Sequence, residues 1–370
     1  MSAQYRPTRM EVSGRTLGEN VALIRRTLRG RARLMAVVKA DAYGHGAVDT
    51  ARVALNNGAD FLAVAIVEEG VRLREAGIRA PILVLGGATG AAAREAVRQN
   101  LALALYDMGA LEVMQREAAR LDGVAHAHIK IDTGMSRVGL TGPAQLERML
   151  EGLKRCRNVK AEGVFTHFAA ADEDREFTME QNARFLRAVE RVRAAGFKPI
   201  AHASASAAML VDPALWHDMV RPGIAIYGAA VREKLPGLAP AQRLATRPVR
   251  VETIRPGDTV SYGRTFEAKR PTRIMTLPIG YGDGYPRILG GKASVLVKGR
   301  RAPVVGRVCM DMLMADVTDI EGVGLDDEVV LMGEQGGDSV TADELARLAM
   351  TIPYEIMLGF HERIPRRFVQ

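Results

Sequence analysis

Cysteine is scarce. Only Cys156 and Cys309 occur in 370 residues, too few for a disulfide framework, and neither belongs to a CxxC pair or a metal-spaced Cys/His cluster. A disulfide-stapled secreted scaffold and a zinc module are excluded, and no metal is expected. Long hydrophobic runs are missing too. No segment approaches a membrane span, and the opening MSAQYRPTRMEVSGRTLGEN lacks the apolar stretch of a signal peptide. Together these absences lead to an expectation of a reducing, cytoplasmic setting. There is also no repeat period, low-complexity tract or long linker. The net charge of +8 invites a nucleic-acid reading, but no zinc-finger, RNP-like or helix-turn-helix pattern accompanies it. The densest basic run, Arg25 to Arg33, is punctuated by Leu and Ala as on a solvated helix face.

What is present is the composition of a soluble globular enzyme with ample apolar material for a core, 48% hydrophobic and 25% charged. The length exceeds that at which single cores stop growing, so two domains are expected. Over residues 13–235 apolar runs alternate with amphipathic segments. The runs are Leu34–Ala40, Phe61–Ile66, Pro81–Gly86, Leu101–Tyr106, Ala125–Asp132, Val159–His167, Ile200–Ser204 and Val220–Tyr227. About eight strand–helix units predict an α/β fold, an N-terminal (β/α)8 TIM-like barrel, with Gly14–Leu28 as an entry helix. The alternation breaks at Lys234–Pro240. Beyond it, residues 236–370 carry short β-like runs with turn signals such as Arg255-Pro-Gly-Asp258, predicting a C-terminal mainly-β domain joined by residues 1–12. One helix is expected at Thr341–Met350, where Thr341 and Glu344 form a capping box.

The stretch Val37-Val-Lys39-Ala-Asp-Ala-Tyr43-Gly-His-Gly46 delivers one lysine at the end of an apolar run. A lysine there is more often a solvated strand end than a nucleophile, so the stretch alone leaves both readings open. In a barrel, reactive groups come from the carboxyl ends of the strands. Lys39 closes the first strand on this reading, Lys130 and Asp132 the fifth, and His167 the sixth. Ser204 and Ser206 follow the seventh, and Arg221 lies within the eighth. The set therefore falls on one rim, apart from Arg221. Simpler roles stand beside the chemical ones: loop charges for Lys130 and Arg137, a hydrogen-bonded core histidine for His167, an N-cap for Ser206, a half-buried β-domain tyrosine for Tyr262.

Those segments, with Ile129-Lys-Ile-Asp-Thr-Gly-Met-Ser-Arg-Val138, His202-Ala-Ser-Ala-Ser206, Met219-Val-Arg-Pro-Gly-Ile224, Val260-Ser-Tyr-Gly-Arg264, Gly280-Tyr-Gly-Asp-Gly-Tyr285, Cys309-Met-Asp311 and Thr351-Ile-Pro-Tyr354, resemble in order the motifs of the alanine racemase family. The resemblance runs from Arg6 to Arg366. It implies a pyridoxal 5'-phosphate enzyme that interconverts L- and D-alanine for cell-wall peptidoglycan, with Lys39 holding the cofactor and acting as one base and Tyr262 as the other. By the same resemblance, Tyr43, Arg137, His167, Ser206, Arg221, Gly223, Ile224 and Tyr354 contact the cofactor, Arg221 at its pyridine nitrogen. Arg137, Met310, Tyr285 and Asp311 serve the substrate. The lysine aligned with Lys130 is often carbamylated (N6-carboxylysine) in that family, and the family's homodimer has composite sites. Three positions depart from the pattern: Ala205 replaces an asparagine, Arg9 a tryptophan and Gly282 an alanine. Ala205 keeps a serine or broad-specificity racemase in view. A decarboxylase of this fold is disfavoured by Arg221, which stands where an acid is expected, and a non-catalytic cofactor carrier by the β domain and Tyr262.

Overall fold

The computed structural model describes residues 6–87, 90–229 and 235–369. Eight parallel strands, Arg33–Val37, Phe61–Val64, Ile82–Val84, Ala102–Leu105, Ala125–Lys130, Val159–Phe165, Ile200–His202 and Met219–Val220, follow one another in chain order around a barrel. The first strand pairs with both the second and the eighth. The seam between seventh and eighth is closed by Asp218 N–H to Ala201 O (3.0 Å) and Arg221 N–H to Ser204 O (2.8 Å). Strands buried on both faces need continuous apolar sequence, which is why Leu34–Val38 and Leu62–Val64 read as unbroken runs.

The entry helix spans Gly14–Leu28. Ser13 accepts the Thr16 N–H (3.1 Å), and Leu17, Val21, Ile24 and Leu28 turn inward at helical spacing. Its buried Asn20 donates to the carbonyls of Ile226 (2.9 Å) and Ala239 (2.8 Å) and accepts the Ala239 N–H (3.0 Å), stapling the chain as it leaves the barrel. The predicted break begins at Lys234, outside the described residues; Leu235–Leu238 is a turn.

The second half is built on a ten-stranded sheet. Its main path runs Arg250–Ile254, Thr272–Leu277, Leu313–Asp316, Arg300–Val305, Ser294–Val297, Val329–Gln335, Gln242–Thr246, Arg9–Ser13, Arg366–Val369, and Asp338–Val340 pairs off Val329–Gln335. Arg9–Ser13 is antiparallel to Gln242–Thr246 and parallel to Arg366–Val369. The capped helix is Ala342–Ala349, with Thr341 accepting the Glu344 N–H (3.0 Å). One carbonyl links the halves twice: Gly44 O accepts from Gln242 Nε2 and Arg366 Nε, both at 2.9 Å.

Two expectations need correcting. The run Val220–Tyr227 is not one strand: pairing stops at Val220, and Ile224–Tyr227 is a 3-10 turn. Pro222 has no N–H to continue a ladder, and the backbone reverses at Gly223. Arg221 therefore leaves the end of its strand, on the same rim as the other candidates. Nor does the first strand reach Lys39, because Lys39–Gly44 is helical and largely left-handed.

Gly228 has φ +77°, and a Cβ there would lie 1.8 Å from Ala239 O. Gly228→Ala should cost about 2 kcal/mol or more through the left-handed penalty and the backbone clash, read as a lower urea midpoint. His45 and His128, both fully buried, have pKa values pushed down to about 4 by burial. Below the ordinary histidine value of about 6.5 the unfolded chain binds protons that the native state refuses. Their share of stability is therefore present at neutral pH and is lost as pH falls from about 6.5 towards 4, and urea midpoints measured across that window should decline.

Candidate active site

A cavity of about 580 Å³ opens at the carboxyl ends of the barrel strands. Lys39, Tyr43, Lys130, Arg137, His167, Ser206, Arg221, Gly223, Ile224 and Tyr354 all line it, so ten candidates dispersed along the sequence share one wall. Tyr354 comes from the second half, on helix Pro353–Gly359, and its ring lies 5.7 Å from that of Tyr43.

Lys39 owes its position to an unusual backbone. Ala40, Asp41, Ala42 and Tyr43 all have φ between 49° and 55°, a left-handed turn that costs L-residues about 1–2 kcal/mol each. Such strain persists only where surrounding contacts impose it, and it concentrates at functional sites. The turn leaves Lys39 half-buried and tucks the Tyr43 ring against Tyr227 (4.8 Å between centroids). Burial first, then the Arg137 charge, lowers the Lys39 pKa; Glu69 acts in the opposite direction. An amine shifted that way has more of the neutral, nucleophilic form at physiological pH.

Beneath this rim sits a buried guanidinium. Arg221 donates to Thr166 O (2.8 Å), Ala203 O (2.9 Å) and His202 Nδ1 (3.0 Å), with His167 Nδ1 at 3.4 Å. Because a guanidinium only donates, His202 Nδ1 must be the acceptor, which puts the proton on Nε2 and directs it to His128 Nδ1 at 2.8 Å. Phe165 stacks on His202 (4.9 Å, 2° between planes). Burial brings Arg221 down to about 9, still protonated at neutral pH. Burial and the Arg221 charge together hold His167 and His202 well below the usual histidine value.

Lys130 is buried over the Phe165 ring, 4.6 Å from its centroid. Its pKa falls to about 7 through burial and the charges of Arg221 and Arg137, against the pull of Asp132. Asp132 gathers the N–H groups of Gly134, Ser136 and Arg137, shaping the loop that turns Arg137 into the cavity.

Ser206 is not an N-cap, since that place belongs to Ala205. Its hydroxyl oxygen accepts the Gly223 (3.0 Å) and Ala225 (3.2 Å) N–H groups, leaving its own proton to donate elsewhere. At Gly223 a Cβ would lie 2.4 Å from Tyr43 Oη, so only glycine lets the tyrosine close this end. A hydroxyl donor, closely spaced amides and four cationic or amine side chains fit an anionic cofactor with a reactive carbonyl.

The remaining candidates lie elsewhere in the single chain. Tyr262 is 69% exposed and Met310 54% exposed, and neither lines the cavity. They share an edge of the second half, where Ser261 Oγ donates to Arg307 O (2.6 Å) and the Gly282 N–H to Met310 O (2.8 Å). Asp311 accepts from Arg363 Nη2 (2.8 Å). Tyr285 is fully buried, and its hydroxyl has no hydrogen-bond partner among the described residues. The sequence reading missed Glu69 and the His202–His128 contact. A glutamate in a helix's first turn is commonplace, and nothing local marks the histidines as neighbours.

The alanine racemase N-terminal domain family matches residues 12–231 and the alanine racemase C-terminal domain family residues 241–368. The chain is 46% identical to the alanine racemase of Symbiobacterium thermophilum over 98% of its own length and 97% of that protein. It is 41% identical to alanine racemase 2 of Caldanaerobacter subterraneus subsp. tengcongensis, covering 100% and 96%. Among solved structures it matches the alanine racemase of D-cycloserine-producing Streptomyces lavendulae with a TM-score of 0.93 at 32% identity, over 100% and 98% of the chains. The Bacillus anthracis enzyme with bound L-Ala-P gives 0.91 at 35%, over 100% and 96%. With the barrel, the sheet and the ordered motifs all in agreement with these relatives, the chain belongs to the alanine racemase family.

Proposed function

We propose that the protein is a cytoplasmic, pyridoxal 5'-phosphate-dependent racemase that interconverts L- and D-alanine and supplies D-alanine for peptidoglycan. The observation that carries the reading is the convergence of Lys39, Arg221 and Ser206 on one cavity. Ser206, with the Gly223–Ile224 backbone, Tyr43 and Tyr354, would receive the phosphate. Arg221 would face the pyridine nitrogen, and His167 would pack beside it. Bound there, the cofactor supplies an electron sink that acidifies Cα–H of the attached amino acid.

Racemisation takes a proton from one face of Cα and delivers one to the opposite face, and two bases, one on each face, are the simplest apparatus for it. Lys39 serves one face. Arg221 keeps its own proton, which would weaken the sink and favour rapid return of a proton to Cα. Arg137 is a fixed cation suited to the substrate carboxylate or the cofactor's phenolic oxygen. Lys130, with a neutral amine available near pH 7, is suited to adding CO2 with release of a proton, and the resulting carbamate would orient Arg137.

Tyr262 is the other base, and its exposure in one chain supports a homodimer in which a second copy brings Tyr262, Met310 and Asp311 to the cavity rim. The apolar side chains exposed with it, Tyr281, Met310 and Met312, suit burial between copies. The simplest partner is therefore a second copy of the chain, together with a small amino-acid substrate. Ala205 lines the cavity in place of an asparagine, an observation that favours testing serine and longer side chains alongside alanine.

Lys39→Ala should abolish cofactor attachment, seen as loss of the near-ultraviolet or visible band, together with turnover. Tyr262→Phe should keep the band and lose most of the turnover. Mixing the two variants should restore activity if sites are shared between copies, and full activity of Tyr262→Phe alone defeats the two-base assignment. Gly223→Ala should weaken cofactor binding by about tenfold or more, measured by titration of the apoprotein, because the added methyl displaces Tyr43.

A further inference from the structure

We propose that Glu69, on the helix Val67–Glu75 after the second barrel strand, is a positioning residue that holds Lys39 in its working orientation by clamping the left-handed turn. The inference rests on Lys39 being the cofactor-bearing lysine. One carboxylate oxygen accepts the Ala40 N–H at 2.5 Å; the other accepts the N–H groups of Ala65 (2.7 Å) and Ile66 (3.4 Å). A single side chain thus ties the residue after Lys39 to the exit of the neighbouring strand.

The turn needs such a tie. Four successive non-glycine residues in the left-handed region have no local reason to stay there. Other restraints bracket the lysine or act further along. Ala42 N–H to Val38 O (2.9 Å) spans it. Gly46 N–H to Asp41 O (2.9 Å), His45 N–H to Ala42 O (3.0 Å), His45 Nδ1 beside the Ala42 and Tyr43 carbonyls (3.0 Å each), Ala47 N–H to Asp41 Oδ1 (2.9 Å) and Arg72 Nη1 near Asp41 Oδ1 (3.3 Å) hold the far end. Arg72 stands three residues beyond Glu69 on the same helix face, so one face grips the turn at Ala40 and Asp41. Its ion pair is exposed and weak, and Glu69 is the side chain that ties down the residue next to the lysine.

Glu69 also acts through charge. The groups facing Lys39 are Glu69 from this helix, Arg137 from the loop after the fifth strand and His167 after the sixth, while Lys130 and Arg221 line the same cavity. Glu69 alone among them favours the ammonium form. Its loss has two separable effects: the amine is less well aimed, and it loses its proton at lower pH.

The test titrates the full-length apoprotein with pyridoxal phosphate from about pH 6 to 9, following the lysine-bound absorbance, with thermal melts recorded in parallel. Glu69→Gln is expected to weaken affinity by about tenfold and to move the acid limb of the pH profile downward. Glu69→Asp, too short to reach Ala40 but still charged, should lose affinity with the limb nearly in place. Adding Ala40→Gly to Glu69→Gln should recover affinity, since glycine takes the left-handed conformation without penalty, and leave the limb shifted. Wild-type affinity and pH limb in Glu69→Gln would overturn the proposal, as would a weakened variant whose limb stays fixed and which Ala40→Gly does not rescue. If the wild-type protein fails to attach the cofactor, or Lys39→Ala attaches it equally well, the assignment of Lys39 fails instead.

Discussion

A guanidinium taken out of water must find acceptors for its protons, and the barrel's closing strands are arranged to provide them for Arg221. Thr166 and Ala203 offer carbonyls from the ends of the sixth and seventh strands, and His202 offers a ring nitrogen. Once that charge is placed, much else follows. His202 can hold only one tautomer, His128 must accept from it, and His167 stays neutral beside a fixed cation. The short eighth strand also makes sense, because a longer ladder would carry Arg221 past the carbonyls that receive it.

The cavity above is heavily cationic. Lys39, Lys130, Arg137 and Arg221 face it, and Asp172 is the one acid among its lining residues. Such an excess lowers the proton affinity of every amine present and attracts anions of the size of a phosphate or a carboxylate. Burial first, and repulsion among the cations second, makes neutral amines available without a dedicated general base beside each.

The barrel was legible because its strands are fully buried and so read as apolar runs, and because reactive groups must leave at their carboxyl ends. Lys39, His167 and Ser206 could thus be placed on a common rim from the sequence, whereas Arg221 joins them only because its strand stops at Val220. The left-handed turn was not legible: Ala40-Asp-Ala-Tyr43 contains no glycine or asparagine to announce positive φ, and the conformation is imposed from a neighbouring helix. Tyr285 illustrates another limit. A motif gives a residue's place along the chain, whereas its full burial depends on packing within the second half. Residues 1–12 are expected to join the second half, but Arg9–Ser13 and Arg366–Val369 do not read as strands, being short and rich in charge and pairing only with partners far away in sequence.

That last pairing governs how the molecule can be assembled. Arg9–Ser13 emerges early from the ribosome, yet both strands that flank it are made only after the whole barrel has been translated. During synthesis the barrel can close around its own strands while this segment waits with both edges unpaired, the state in which strands invite misassociation. Its alternation is protective: Arg9 and Glu11 bracket Met10 and keep a charged face towards water until the sheet arrives to cover Met10 and Val12. The strand beside Arg9–Ser13 in the finished sheet, Arg366–Val369, is among the last to be translated, so this pairing can form only once the barrel and most of the second half exist.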